Sequence, residues 1–242
     1  MCKFKSKFKE MNRERMKILL ILLTIGLGAS SPQKKDPDQI LDEVKKTFNQ
    51  VQDYVVDVNI KVDVDFIKVP ETQATIYYKQ PDKVHLESKS FAMLPREGLD
   101  LSPIGLLKEK YTAIYEKEDT VGGNKTDVVK VIPLGDESNV VLTTLWIDEG
   151  RHFIRKVQST LKIGGTFSIE LKYDNSKMNY PLPSSMIFTF NIERLNLPKG
   201  MAGELNKNKS NDEKKTTGKV YITYSNYKVN KGIPDSVFEE KK

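Results

Sequence analysis

The chain has 242 residues, 38% apolar and 30% charged, which suits one or two globular domains with a sizeable core. Its formal charge is +6, but residues 1–30 carry seven Lys/Arg against two Glu, so the remainder is close to neutral at +1. That balance excludes nucleic acid and gives no reason to expect an anionic membrane as partner. The only cysteine, Cys2, lies at the extreme N-terminus, so the rest of the chain has no disulfide and no thiol chemistry.

Residues 1–30 read as a secretory signal. A basic stretch leads into an apolar run over residues 18–27 and then into Gly28-Ala29-Ser30-Ser31, small residues suited to cleavage. The run is well short of the roughly 20 apolar residues a spanning helix needs. The alternative is an uncleaved anchor, and Met11 and Met16 are alternative starts. A lipoprotein would carry Cys just after the apolar run, where this chain has Ser30 and Ser31. The expectation is an exported, periplasmic, non-lipidated monomer with one domain over residues 31–242.

Asp36-Pro37-Asp38 opens a helix predicted over residues 38–52, with Ile40, Leu41, Val44, Phe48 and Val51 on one face. At Tyr54 the period changes to two. Val56, Val58, Ile60, Val62, Val64 and Phe66 alternate with Asp57, Asn59, Lys61, Asp63 and Asp65, a long strand with one wet face. Residues 72–79 pair back on it. Ile76 and Tyr78 precede Pro81-Asp82, and Val84 and Leu86 follow, which is a hairpin signal. Residues 90–110 are apolar but broken by Pro95, Gly98, Pro103 and Gly105. They predict an apolar flap with a short helix over residues 102–109.

Further strands are predicted at residues 111–116, 127–132, 140–147, 153–163, 166–173 and 185–192, with a closing strand at 219–227. Turn residues separate most of them: Gly122-Gly123, Gly135-Asp136, Asp148-Glu149-Gly150, Gly164-Gly165 and Asp174-Asn175. Residues 198–217, rich in Lys, Asn, Glu and Asp, read as a mobile charged insert. Val237 and Phe238 are expected to tuck in at the end of the chain.

Nine or ten antiparallel strands with one apolar face each exceed what two short helices can cover. The sheet must close on itself or leave an apolar hollow suited to an acyl chain; a tightly filled interior would exclude that use. The expected fold is mainly β with a few helices, an antiparallel half-open β-barrel under a helical lid.

The order of elements over residues 36–242 resembles the LolA-like carriers and their outer-membrane lipoprotein-sorting relatives. The sharpest local pieces are Tyr77-Tyr78-Lys79-Gln80-Pro81-Asp82-Lys83-Val84, Leu145-Trp146-Ile147-Asp148 and the terminal Pro234-Asp235-Ser236-Val237-Phe238. The resemblance implies binding of lipoprotein acyl chains or other lipid without chemistry, with lipoprotein transfer partners at the inner and outer membranes. In the family an Arg before the Pro bonds the lid, and an aromatic commonly follows the turn; this chain has Gln80 and Val84 there.

The candidate ligand-binding residues are Val56, Val58, Ile60, Ile76, Tyr78, Leu86, Phe167, Ile169 and Leu171 on the strands. In the flap they are Phe91, Met93, Leu94, Leu101, Ile104, Leu106 and Leu107. Each strand residue could equally be plain core, and the flap a rigid plug. His85 and His152 are the only histidines and lack co-ligands at metal spacing, so no metal, cofactor or catalytic residue is assigned. The first rival reading is an envelope-stress sensor or scaffold that binds a protein partner on the same sheet. The second, a lipid hydrolase, needs a nucleophile with an oriented base, which two isolated histidines do not provide.

Overall fold

The fold starts at Asp36 for the reason its residue type suggests. Its carboxylate accepts a hydrogen bond from the Asp38 N–H at 3.0 Å, and Pro37 fills the first turn, where a missing N–H costs nothing. Helix α1 (Pro37–Phe48) buries Leu41 and Val44. It stops short of the predicted residue 52 because the chain turns at Asn49–Val51. The Val51 side chain still buries, but from that turn.

The computed structural model describes residues 35–64, 67–68, 70–88, 107, 110–135, 138–162, 165–174, 180–191 and 217–239. The signal segment, the charged insert and the flap residues Phe91, Met93, Leu94, Leu101, Ile104 and Leu106 lie outside the described residues. Asp36 onward forms one compact unit.

Eleven strands follow: β1 (Asp53–Val64), β2 (Ile67–Lys68), β3 (Thr72–Lys79), β4 (Lys83–Ser88), β5 (Tyr111–Val121), β6 (Asn124–Pro133), β7 (Val140–Asp148), β8 (Ile154–Leu161), β9 (Thr166–Lys172), β10 (Ser185–Asn191) and β11 (Thr217–Val229). They make one antiparallel sheet in the order β4-β3-β1-β11-β10-β9-β8-β7-β6-β5, with β2 on β1. The expected β3–β4 hairpin forms, and its register sets Ile76 opposite Leu86 and Tyr78 opposite Val84. Two differences from expectation have clear causes. Strand β5 runs on to Val121 because a bulge at Tyr115/Lys117 shifts the alternation within a charged stretch that reads as loop. The predicted closing strand, β11, is instead central, paired to β1 on one side and β10 on the other.

The sheet is open: β4 and β5 end the ladder and no pairing joins them among the described residues. It is nevertheless strongly curled. Phe48 of α1 meets Tyr78 of β3 with ring centroids at 6.0 Å. One turn earlier, Lys45 Nζ reaches the Tyr111 hydroxyl of β5 at 2.6 Å. One helix, about 10–12 Å across, thus touches strands next to or at both ends of the sheet. Helix α1 lies across the mouth of this half-open sheet.

Side chains on the inner face line up in rows across the ladder. One row runs Val129, Leu145, Val157, Ile169, Phe188, Val220, Val62 over seven strands. A second runs Leu171, Met186, Ile222, Ile60. Val129, Leu145 and Val157 are completely buried, and full burial of such a side chain contributes about 1.5–3 kcal/mol. The face is not uniformly apolar. Thr143 and Ser159 lie opposite each other and share a buried hydrogen bond of 2.8 Å, so neither hydroxyl is left unsatisfied.

Candidate functional site

Where α1 crosses the curled sheet it does not fill the space beneath it. A partly open hollow of about 100 Å³ remains. Val44 and Phe48, four residues apart and so on one helix face, form its roof. Ile60, Ile222, Met186 and Leu171, the second inner row, form its floor. Ile76, Tyr78 and Val84 of the hairpin close one side, and two loops, His152–Phe153 and Pro181–Pro183, close the other.

Tyrosine does much of the filling. Tyr54, Tyr78, Tyr173, Tyr224 and Tyr227 all line the hollow. Their rings pack on one another: Tyr54 stacks on Tyr78 at 5.1 Å and meets Tyr227 edge-on at 5.8 Å, and Tyr224 stacks on Tyr227 at 6.1 Å. Phe153 lies against Tyr173 at 5.0 Å. The Tyr173 hydroxyl donates to the Ile154 carbonyl at 2.7 Å, that of Tyr227 to the Pro183 carbonyl at 2.9 Å and that of Tyr224 to Met186 Sδ at 3.9 Å. Burial pushes the phenol pKa values of Tyr173, Tyr224 and Tyr227 far up, so these groups stay neutral and the lining carries no phenolate charge. The physical surplus expected from the sequence, apolar strand surface without cover, is met largely by these rings.

Of the strand residues singled out in the sequence, Ile60, Ile76, Tyr78 and Leu171 line the hollow. Val56, Val58 and Ile169 are packed core, and Leu86 and Phe167 pack half-buried against that core. Leu107 is buried and lines a neighbouring open groove of about 300 Å³ with Lys45, Phe48, Asn49, Tyr78, Gln80, Pro81 and Asp82. Phe48 and Tyr78 belong to both spaces and form the wall between them. Sequence reasoning missed Tyr54, Tyr173, Tyr224 and Tyr227, although their place in the alternating pattern was available. It could not have found His152, whose backbone sits in the left-handed region at φ 54° and which lines the hollow from a loop.

The hairpin turn is tied to the connection between α1 and β1 through Gln80, the residue standing where the resemblance expects Arg. Its side-chain amide donates to the Val51 carbonyl at 2.8 Å and its N–H to the Gln52 carbonyl at 2.8 Å. On the other side of the hollow, Asp148 does more than the turn chemistry expected of it. It accepts from the Gly150 and Arg151 N–H groups at 3.0 Å each and pairs with Arg155 at 2.6 Å, both side chains buried. Arg155 in turn lies over the Tyr173 ring at 5.2 Å. Glu118, Asp127 and Glu149 bring carboxylate oxygens within 4.8 Å of one another, but none of the three lines the hollow. Among the described residues no helix is long and apolar enough to cross a membrane.

No family model matches the chain, and no curated protein matches it in sequence. Solved structures do. A LolA superfamily protein from Nitrosomonas europaea superposes with a TM-score of 0.53 at 12% identity, over 85% of this chain and 98% of the other. A DUF1329 family protein from Desulfovibrio piger gives 0.56 at 13%, over 85% and 98%. A candidate outer membrane lipoprotein-sorting protein domain from Vibrio parahaemolyticus gives 0.52 at 14%, over 83% and 94%. At these identities the likeness is one of fold, and this chain shares the curled sheet of those proteins.

Proposed function

We propose that the protein is an exported, periplasmic, non-enzymatic carrier that binds a lipid tail, free or attached to a lipoprotein, in the hollow beneath α1. The observation that carries this is the hollow's lining: aliphatic and aromatic side chains whose tyrosine hydroxyls are hydrogen-bonded within the protein, under a helix at the mouth of an open sheet. The likeness in fold to lipoprotein-sorting structures supports the same reading. Each methylene buried there contributes about 0.8 kcal/mol. The hollow of about 100 Å³ takes the end of one tail. A longer stretch requires Phe48 and the tyrosine rings to part, or the tail to continue into the adjoining groove.

Filling the hollow tests this directly. Ile76→Trp adds bulk at a half-buried wall position while leaving the ladder intact. It is expected to lower uptake of a fluorescent fatty acid about tenfold, with far-UV circular dichroism unchanged. Full uptake by a folded Ile76→Trp protein would remove the hollow from the mechanism.

One observation favours a second reading, a sensor or scaffold that docks a protein partner. Ile114, Ile132, Leu134 and Val141, on neighbouring strands at one end of the sheet or just beyond them, are exposed. Native mass spectrometry of protein purified from its host separates the two, since a retained lipid mass supports carriage and a protein partner without lipid supports docking.

A further inference from the structure

The hollow and the groove are two parts of one path, and they differ in chemistry. The hollow is charge-poor and narrow; its volume of about 100 Å³ is below the roughly 300–1,000 Å³ of ordinary small-molecule pockets. The groove is wider, about 300 Å³, open, and polar on one side through Lys45, Asn49, Gln80 and Asp82. They meet at the edge-to-face pair Phe48–Tyr78, which lines both. Helix α1 explains the change of character. Val44 and Lys45 point about 100° apart around the helix axis, Val44 to the hollow and Lys45 to the groove, and Phe48, one turn on from both, straddles the boundary.

Lys45 is the only cation lining either space among the described residues. It is held in place rather than neutralised. Its Nζ donates to the uncharged Tyr111 hydroxyl at 2.6 Å and sits 5.0 Å from that ring's centroid. Its acidic partner among the described residues, Asp42 at 3.3 Å, has a largely exposed side chain, and such pairs are screened and weak. Asp82, the acid of the groove, lies exposed on the hairpin turn.

We propose that the ligand is a single-tailed anionic amphiphile. Its tail passes Phe48 and Tyr78 to end in the hollow, and its carboxylate or phosphate head accepts a hydrogen bond from Lys45 Nζ in the groove, displacing Asp42. This rests on the reading of the hollow as a tail site. The narrow hollow admits one tail; the positioned ammonium selects a negative head over a neutral one.

The test is calorimetric titration of the full chain with dodecanoate, dodecyl phosphate and 1-dodecanol, each below its aggregation threshold. Either anion is expected to bind about tenfold tighter than the alcohol, the scale of one charge-assisted hydrogen bond. Lys45→Gln should bring the ratio of anion to dodecanol affinity to about one, whatever its effect on dodecanol binding itself, and Lys45→Arg should keep the preference. A preference for one anion alone also supports the proposal and tells a fatty-acid carboxylate from a phospholipid-type head. Equal binding of all three by the native protein, or a preference that survives Lys45→Gln, overturns the head site and leaves the tail site standing. If none of the three binds, the tail site falls too.

Discussion

Two polar side chains in the β6–β8 region carry opposite energetic signs. Thr126 Oγ1 is buried with no hydrogen-bond partner among the described residues, so folding strips water from a hydroxyl and returns nothing. Thr126→Val keeps the shape and removes the hydroxyl. It should raise stability by about 1 kcal/mol, seen as a higher urea midpoint at unchanged slope. Asp148 is the reverse case. Burial works to raise its pKa, but Arg155 and the Arg151 and Gly150 N–H groups outweigh it and hold the carboxyl below the usual range. Asp235 is held down to about 2, first by the Lys79 hydrogen bond and then by that from Lys83. For both, the folded pKa lies below the unfolded value of about 3.9. Their contribution is therefore complete above that value and is lost as pH falls through the folded one. Thermal midpoints should drop on acidification below about pH 4, and Asp148→Asn should start lower and fall less steeply. Neither environment is legible in sequence. Thr126 reads as an ordinary strand residue and Asp148 as a turn residue, because burial and the guanidinium beside Asp148 both come from strand pairing.

Helix α1 shows how an element depends on what it covers. At 12 residues it is at the margin of what persists alone in water. Its hold comes from Leu41 and Val44 on the inner face and from Lys45 on Tyr111. Leu41→Ala should cost about 3 kcal/mol, as core truncations of this kind do, measured by chemical denaturation. The elements most legible in sequence were those whose pattern is local: the Asp36-Pro37 start, the long alternation of β1, and the turn at Gly122-Gly123, where φ values of 56° and 79° require glycine. The end of β5 was not legible, because a bulge reverses the alternation over residues 117–121 and breaks the period on which the prediction relies.

At the scale of the molecule, the two ends of the domain are joined. Strand β11 lies beside β1, and beyond it Asn230 accepts from the Gln52 N–H at 2.8 Å and donates to the Gln50 carbonyl at 2.8 Å. Its backbone is left-handed at φ 55°, a conformation asparagine tolerates better than most residues. Asn230→Ala loses both bonds and retains the strain. It should destabilise by about 2 kcal/mol and raise hydrogen exchange first in the turn between α1 and β1, read by mass spectrometry. The C-terminal turn adds to this clasp: Asp235 bridges Lys79 at 2.8 Å and Lys83 at 2.9 Å, pinning the β3–β4 hairpin.

Alternation, turn residues and the helical period were enough to establish a mainly β domain of long hairpins with a helix opening at Asp36, since each signal lies within a dozen residues of chain. Three features lie beyond any local pattern: the central place of β11, the curl that brings α1 against strands at both ends of the sheet, and the partition of the inner face into solid core and hollow. They depend on pairings between residues as far apart as Tyr54 and Val229 and on how far five tyrosine rings fill a space whose size the curvature sets. Side chains two residues apart on β1, such as Val58 and Ile60, are chemically alike and both belong to the core; only the packed whole makes the second also a wall of the cavity.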